Sequence, residues 1–213
     1  MGIQINGTTD DISANDGSWT ATGLTDLRIS TIKTPSGLGT VSFYNEGQIF
    51  TGITTFNGNV SGALSSGTAQ SASGLGTAVN FTGIPSWVKR ITIMFAGLSL
   101  SGGGNLSPMC VQLGDSGGIE QTGYLGQDSG GNSHTVGFRL TPTLTANDSI
   151  SSNAFLTNLS GNTWVFSYCA SGVGNLYASS GIKTTSDTLT QLRITTIEGT
   201  APFDGGTINI LYE

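Results

Sequence analysis

Two features of the chain have residue types suited to chemistry: the string Gly114-Asp115-Ser116-Gly117-Gly118 and the single histidine, His134. A serine hydroxyl becomes a nucleophile when an imidazole takes its proton and a buried carboxylate orients that imidazole. Here no histidine precedes Ser116, and His134 follows the run Ser129-Gly130-Gly131-Asn132-Ser133. Asp, Ser and Gly in such a string also make tight turns, because the Asp side chain bonds the backbone two residues on and Gly accepts positive φ. A turn is therefore the expected role of the string. His134 reads as a surface loop residue or a hydrogen-bonded one.

A second chemistry, glycoside cleavage, needs two carboxyl groups held at a set separation across a sugar. Asp115, Glu120 and Asp128 are the only acids that cluster in the apolar half of the chain, and no spacing among them selects a pair. The same oxygens could hold a structural cation, although the dense Asp/Asn ladder of a calcium loop is missing. Solvated loop acids are the expectation, with no catalytic, cofactor or metal residue assigned. Cys110 and Cys169 sit in the apolar runs Met109-Cys110-Val111 and Tyr168-Cys169-Ala170. They read as small buried hydrophobes, since two cysteines make neither a disulfide framework nor, with one histidine, a zinc site. Trp87, Tyr124 and Tyr177 could stack on sugars, but core or interface packing is the expected role of each. Ser99–Asn105 reads as a hairpin loop and not a phosphate cradle, because no Lys follows. The Asn-x-Ser/Thr sequons follow from composition and carry no function without a secretory route.

Composition sets what must position these residues. Gly supplies 33 of 213 residues, charged residues only 9% and apolar residues 36%. Nearly every stretch that could wind into a helix is broken within a turn by Gly or a β-branched residue, so an all-β chain is expected. A net charge of −6 without Lys/Arg clusters argues against a nucleic-acid partner. No apolar run approaches the length of a bilayer span and the N-terminus lacks signal-peptide character, so neither membrane insertion nor classical secretion is expected.

From Ile3 to about Gly62 the short alternating runs Ile3–Ile5, Leu27–Ile32 and Val41–Phe43 are thin in large apolar residues. Such a region needs something to pair against. Residues 63–83 read as a linker of small residues. A denser half follows: Ile91, Ile93 and Phe95 share one face of a strand, and Trp164, Phe166 and Tyr168 share one face of another. Further strands are expected at Cys110–Leu113, Thr135–Leu140, Leu176–Ser180, Gln191–Ile197 and Thr207–Tyr212. Short strands between Gly/Asn/Ser turns predict a jelly-roll-like β-sandwich over residues 66–213, preceded by an attachment or shaft region over 1–65. The run Ser129–Ser133 reads as a surface loop whose deletion leaves the head intact.

Three resemblances bear on function. Gly114–Gly118 is similar, letter for letter, to the string around the nucleophile of chymotrypsin-like serine proteases, whose histidine and aspartate precede the serine. Gly52-Ile53-Thr54-Thr55-Phe56-Asn57-Gly58 resembles the repeats of bacteriophage fibre shafts, where three chains intertwine. Phe81–Ile93 with Val111–Tyr124, and Ile3–Thr8 with Ile12–Ser18, resemble segments of phage virion proteins of the tail-fibre, head-fibre or capsid-decoration type, in phages of aquatic bacteria. The resemblance implies a non-enzymatic virion structural protein, made in the host cytoplasm and assembled onto the particle. Its implied partners are itself as a homotrimer, other virion proteins through the N-terminal region, and host surface glycan or protein. A capsid-decoration protein and a glycan-cleaving tailspike are the alternatives.

Overall fold

The computed structural model describes residues 64–213 apart from 147, 173 and 174. The strands expected before residue 62 and the shaft-like segment lie outside the described residues. Among the described residues thirteen strands follow one another: β1 (Ser65–Ser66), β2 (Gln70–Ser71), β3 (Ala78–Thr82), β4 (Arg90–Leu100), β5 (Met109–Asp115), β6 (Gly118–Ile119), β7 (Tyr124–Asp128), β8 (Phe138–Arg139), β9 (Ser149–Ser160), β10 (Thr163–Gly172), β11 (Asn175–Thr184), β12 (Gln191–Thr196) and β13 (Phe203–Tyr212). There is no helix among the described residues, and every strand pairing is antiparallel. The larger sheet runs β1-β13-β4-β9-β10-β11-β7, with β2 also on β13, and the smaller runs β3-β12-β5-β6, with β8 on β5. Eight connections among the described strands, β4 to β5 and β11 to β12 among them, pass from one sheet to the other, giving the expected sandwich. β9, β10 and β11 form a plain meander.

Alternation explains which faces meet. In β10, Trp164, Phe166 and Tyr168 are buried while Val165, Ser167 and Cys169 between them are exposed. Ile91, Ile93 and Phe95 bury the matching face of β4, and Leu192 and Ile194 of β12 pair with Leu113 and Val111 of β5 inside the smaller sheet. The sheets join where the Phe138 ring of β8 stacks on Phe166 of β10, centroids 4.6 Å apart and 3° from parallel. Such a pair adds about 0.5–1.5 kcal/mol to the gain from burial.

In β4 the inward set changes phase, from Ile91, Ile93 and Phe95 to Leu98 and Leu100, and the register with β9 shifts between Phe95 and Leu98. Gly97, at φ 63°, absorbs the extra residue, and a Cβ on Gly206 opposite would come within 2.5 Å of the Leu98 Cα. The bulge requires glycine on one strand for its conformation and on the other for closeness.

Three expectations are corrected, and one long strand had no expectation. Of the stretch 63–83 read as a linker, residues 64–83 are none: β1 and β2 pair with β13, β3 pairs with β12, and Ala72, Val79 and Phe81 are buried. Small residues suit this stretch because it lies against strand edges. The longest strand, β9, was not anticipated, since only Ile150, Ala154 and Leu156 face inward and its remaining Ser, Asn and Thr read as loop. Thr135–Leu140 contains only the two-residue β8, the rest bending over the sheet. Ser99–Asn105 is no hairpin, because β4 and β5 belong to different sheets.

Candidate functional site

Alternation that buries apolar residues elsewhere buries polar ones at the β11/β7 edge. Tyr177, Ser179, Gly181 and Lys183 of β11, with Tyr124, Gly126 and Asp128 of β7, occupy the positions facing the smaller sheet. Two hydrogen-bonded clusters result.

The first centres on Asp128. Its Oδ2 accepts from Arg139 Nε at 2.9 Å and from the Tyr177 hydroxyl at 2.5 Å, and its Oδ1 accepts from the amides of Gly130 and Asn132, both at 2.9 Å. The Asn132 side-chain amide adds a contact of 3.0 Å to each oxygen. Burial alone raises a carboxyl pKa, but the Tyr177 hydroxyl and the Asn132 donors outweigh it and hold Asp128 below the usual range. Tyr177 moves upward, through burial first and then its bond to the carboxylate.

His134 lies beside this cluster. Its Nδ1 accepts from the Arg139 amide at 3.4 Å, so Nε2 carries the hydrogen and donates to the Ser180 carbonyl at 3.0 Å. The imidazole fills space left by two glycines paired across β7 and β11: a Cβ on Gly126 would come within 2.9 Å of its Cδ2, and one on Gly181 within 2.8 Å. The ring also meets Phe138 edge to face at 5.5 Å. Burial lowers the His134 pKa, opposed by the Ser180 carbonyl.

The second cluster joins Asp115 and Glu120. The Ser186 hydroxyl lies 2.5 Å from Asp115 Oδ2 and 2.8 Å from Glu120 Oε1, and the Ser186 amide donates to Glu120 Oε1 at 2.6 Å. Lys183, buried on β11, pairs with Glu120 Oε2 and lies 5.5 Å over the Tyr124 ring. The Tyr124 hydroxyl donates to the Glu120 carbonyl at 2.9 Å and accepts from the Leu113 amide at 2.7 Å, stitching the two sheets together. Asp115 is held low chiefly by the Ser186 hydroxyl, while at Glu120 the burial penalty is overcome by Lys183 and Ser186.

Ser116 and Gly117 are the two turn residues of the β5–β6 hairpin, with the Gly117 amide donating to Asp115 Oδ1 at 2.8 Å. The serine is exposed, Asp115 is occupied by the turn and Ser186, and His134 bonds Ser180 and Arg139. Of the three clustered acids, Asp115 and Glu120 come together and Asp128 joins a different set. They are not solvated loop acids: Asp115 and Asp128 are buried, and Glu120 half-buried. The Ser129–Ser133 run is correspondingly not a free loop, since its amides hold Asp128 and the Ser129 amide donates to the Ala178 carbonyl at 2.7 Å. Tyr124 and Tyr177 are packing and bonding residues, and Trp87 packs half-buried against Tyr212 at 6.0 Å. Cys110 is buried, its thiol pushed up to about 12, but Cys169 is exposed on the outer side of β10 and so is not the small core hydrophobe expected. Lys183, Ser186, Arg139 and Asn132 escaped the sequence reading. An extension of β11's alternation past Ser180 would have put Lys183 inside.

Compared with protein-family models, with curated proteins and with solved structures, the chain matches none.

Two expected results follow from this geometry. Ser116→Ala, at an exposed turn position, should change the unfolding free energy by less than about 0.5 kcal/mol in urea titration. Stability should fall in two stages on acidification. The buried neutral His134 must stay unprotonated while the unfolded chain takes up a proton near about pH 6.5, so its contribution is full above that pH and declines below it. The depressed carboxyls contribute fully above about pH 4 and lose their contribution below. Urea midpoints across pH 3–8 check this, and His134→Gln should remove the upper stage alone, because the chain has one histidine.

Proposed function

We propose that the chain is a non-enzymatic structural component of a phage particle, a fibre-type protein whose residues 66–213 form a displayed β-sandwich head and whose N-terminal region holds the particle as a homotrimer. The observation that carries the reading is the engagement of the groups with chemical potential. Asp115, Glu120, Asp128 and His134 bond to donors and acceptors of their own fold, and Ser116 shapes a hairpin, so each serves the sandwich. The likeness of Phe81–Ile93 and Val111–Tyr124 to virion proteins supplies the class. Loops such as Ser101–Asn105, exposed between the sheets, can meet host glycan or protein without disturbing the core.

Deletion of residues 1–30 tests the polarity. Particles should lose the protein while its head remains folded, and an exchange of Ser101–Asn105 for a glycine-serine loop should keep incorporation and alter adsorption alone. Uptake of residues 64–213 by themselves as efficiently as the whole chain would reverse the polarity. Turnover of host glycan by the purified protein, abolished in Glu120→Gln, would replace the reading with an enzymatic one.

A further inference from the structure

An antiparallel sheet with one face on a core normally puts apolar side chains inward and polar ones outward. The β11/β7 part of the larger sheet does the reverse. Its inward residues are the polar clusters described above, and its outward residues mix apolar Leu176, Ala178 and Ile182 of β11 and Leu125 of β7 with uncharged Ser180, Thr184 and Gln127. Four of the six exposed large apolar side chains among the described residues belong to this single outer face: Leu125 (66% exposed), Leu159 (65%), Val165 (39%) and Leu176 (69%). Leu125, Ile182 and Val165 are consecutive cross-strand partners on β7, β11 and β10. They form a continuous ridge.

Charge is absent from the same surface. No outward position of β7, β9, β10 or β11 holds an acid or a base, although the chain carries a net −6. The adjoining β4 borders this surface, and there the first charge stands, Arg90, which lies over the Phe155 ring and pairs with Glu213. The long strands β9, β10 and β11 and the five-residue β7, about 4.8 Å apart, present on the order of 600 Å². That is about three quarters of the roughly 800 Å² per partner of a stable standard interface.

We infer that this outer face of the larger sheet is the surface on which copies of the chain pack against one another. A second copy fits better than another partner because two acidic chains meet with little like-charge repulsion through an uncharged surface, and this face supplies one with an apolar ridge. The proposal rests on the homotrimeric reading above and adds the surface that makes it.

Cys169, exposed on the same face, is a reporter, and buried Cys110 is its internal control. The whole chain is sedimented at micromolar concentration and alkylated with iodoacetamide, beside a Leu125→Glu/Val165→Glu variant checked for β structure by circular dichroism. The expected result is an oligomer in which Cys169 reacts at least tenfold more slowly than in the variant, which sediments as a monomer. An oligomer with fully reactive Cys169 overturns this face as the interface while leaving the homotrimer standing. A monomeric wild-type chain overturns both. The wild-type alkylation decides the matter even where the variant fails to fold.

Discussion

Asp128→Ala is expected to lower the unfolding free energy by about 3–5 kcal/mol, the cost of leaving a buried ion-pair partner without its counter-charge. The Asp128 side chain is wholly buried and that of Arg139 only 15% exposed, so water cannot solvate the guanidinium left behind. The variant also strands the Tyr177 hydroxyl and frees the 129–133 turn, whose Gly130 and Asn132 amides bond the carboxylate. Urea unfolding of Asp128→Ala, Arg139→Met and the double variant checks the cause. The double variant should recover part of the loss, because no lone charge remains. A cost under about 1 kcal/mol for Asp128→Ala would mean that the cluster does not hold the β7 edge.

Phe166→Ala is expected to cost a similar amount, about 3–5 kcal/mol, by opening a cavity between the sheets. Phe166 is fully buried and stacked on Phe138, the one aromatic contact joining β10 to β8 across the sandwich. The neighbouring Ser167 faces out, so Ser167→Ala should stay within about 0.5 kcal/mol. Chemical denaturation of the pair measures the inward and outward faces of one strand against each other.

Legibility followed side-chain chemistry. Strands whose inward residues are large, such as Ile91-x-Ile93-x-Phe95 and Trp164-x-Phe166-x-Tyr168, announced themselves and their buried face. β9 did not, because only Ile150, Ala154 and Leu156 face inward along a strand otherwise rich in Ser, Asn and Thr, and β1 and β2 did not, because two-residue strands of Ser and Gln show no alternation. At the candidate site the turn role of Gly114–Gly118 was readable from Asp and Gly chemistry. The link from Asp115 to Glu120 runs through Ser186, and the link from Asp128 to Tyr177 runs between strands, so long-range pairing decides both. The inverted polarity of β11 also hid Lys183, since a strand with leucine outward and lysine inward contradicts the usual pattern.

The most direct test of the central reading, a displayed component of a phage particle, is electron microscopy of purified particles labelled with gold-conjugated antibody raised against residues 66–213. The account predicts gold at regular positions on the outside of intact particles, lost when residues 1–30 are deleted. Particles free of gold, with the antigen recovered only from the soluble fraction of the infected cell, would contradict it.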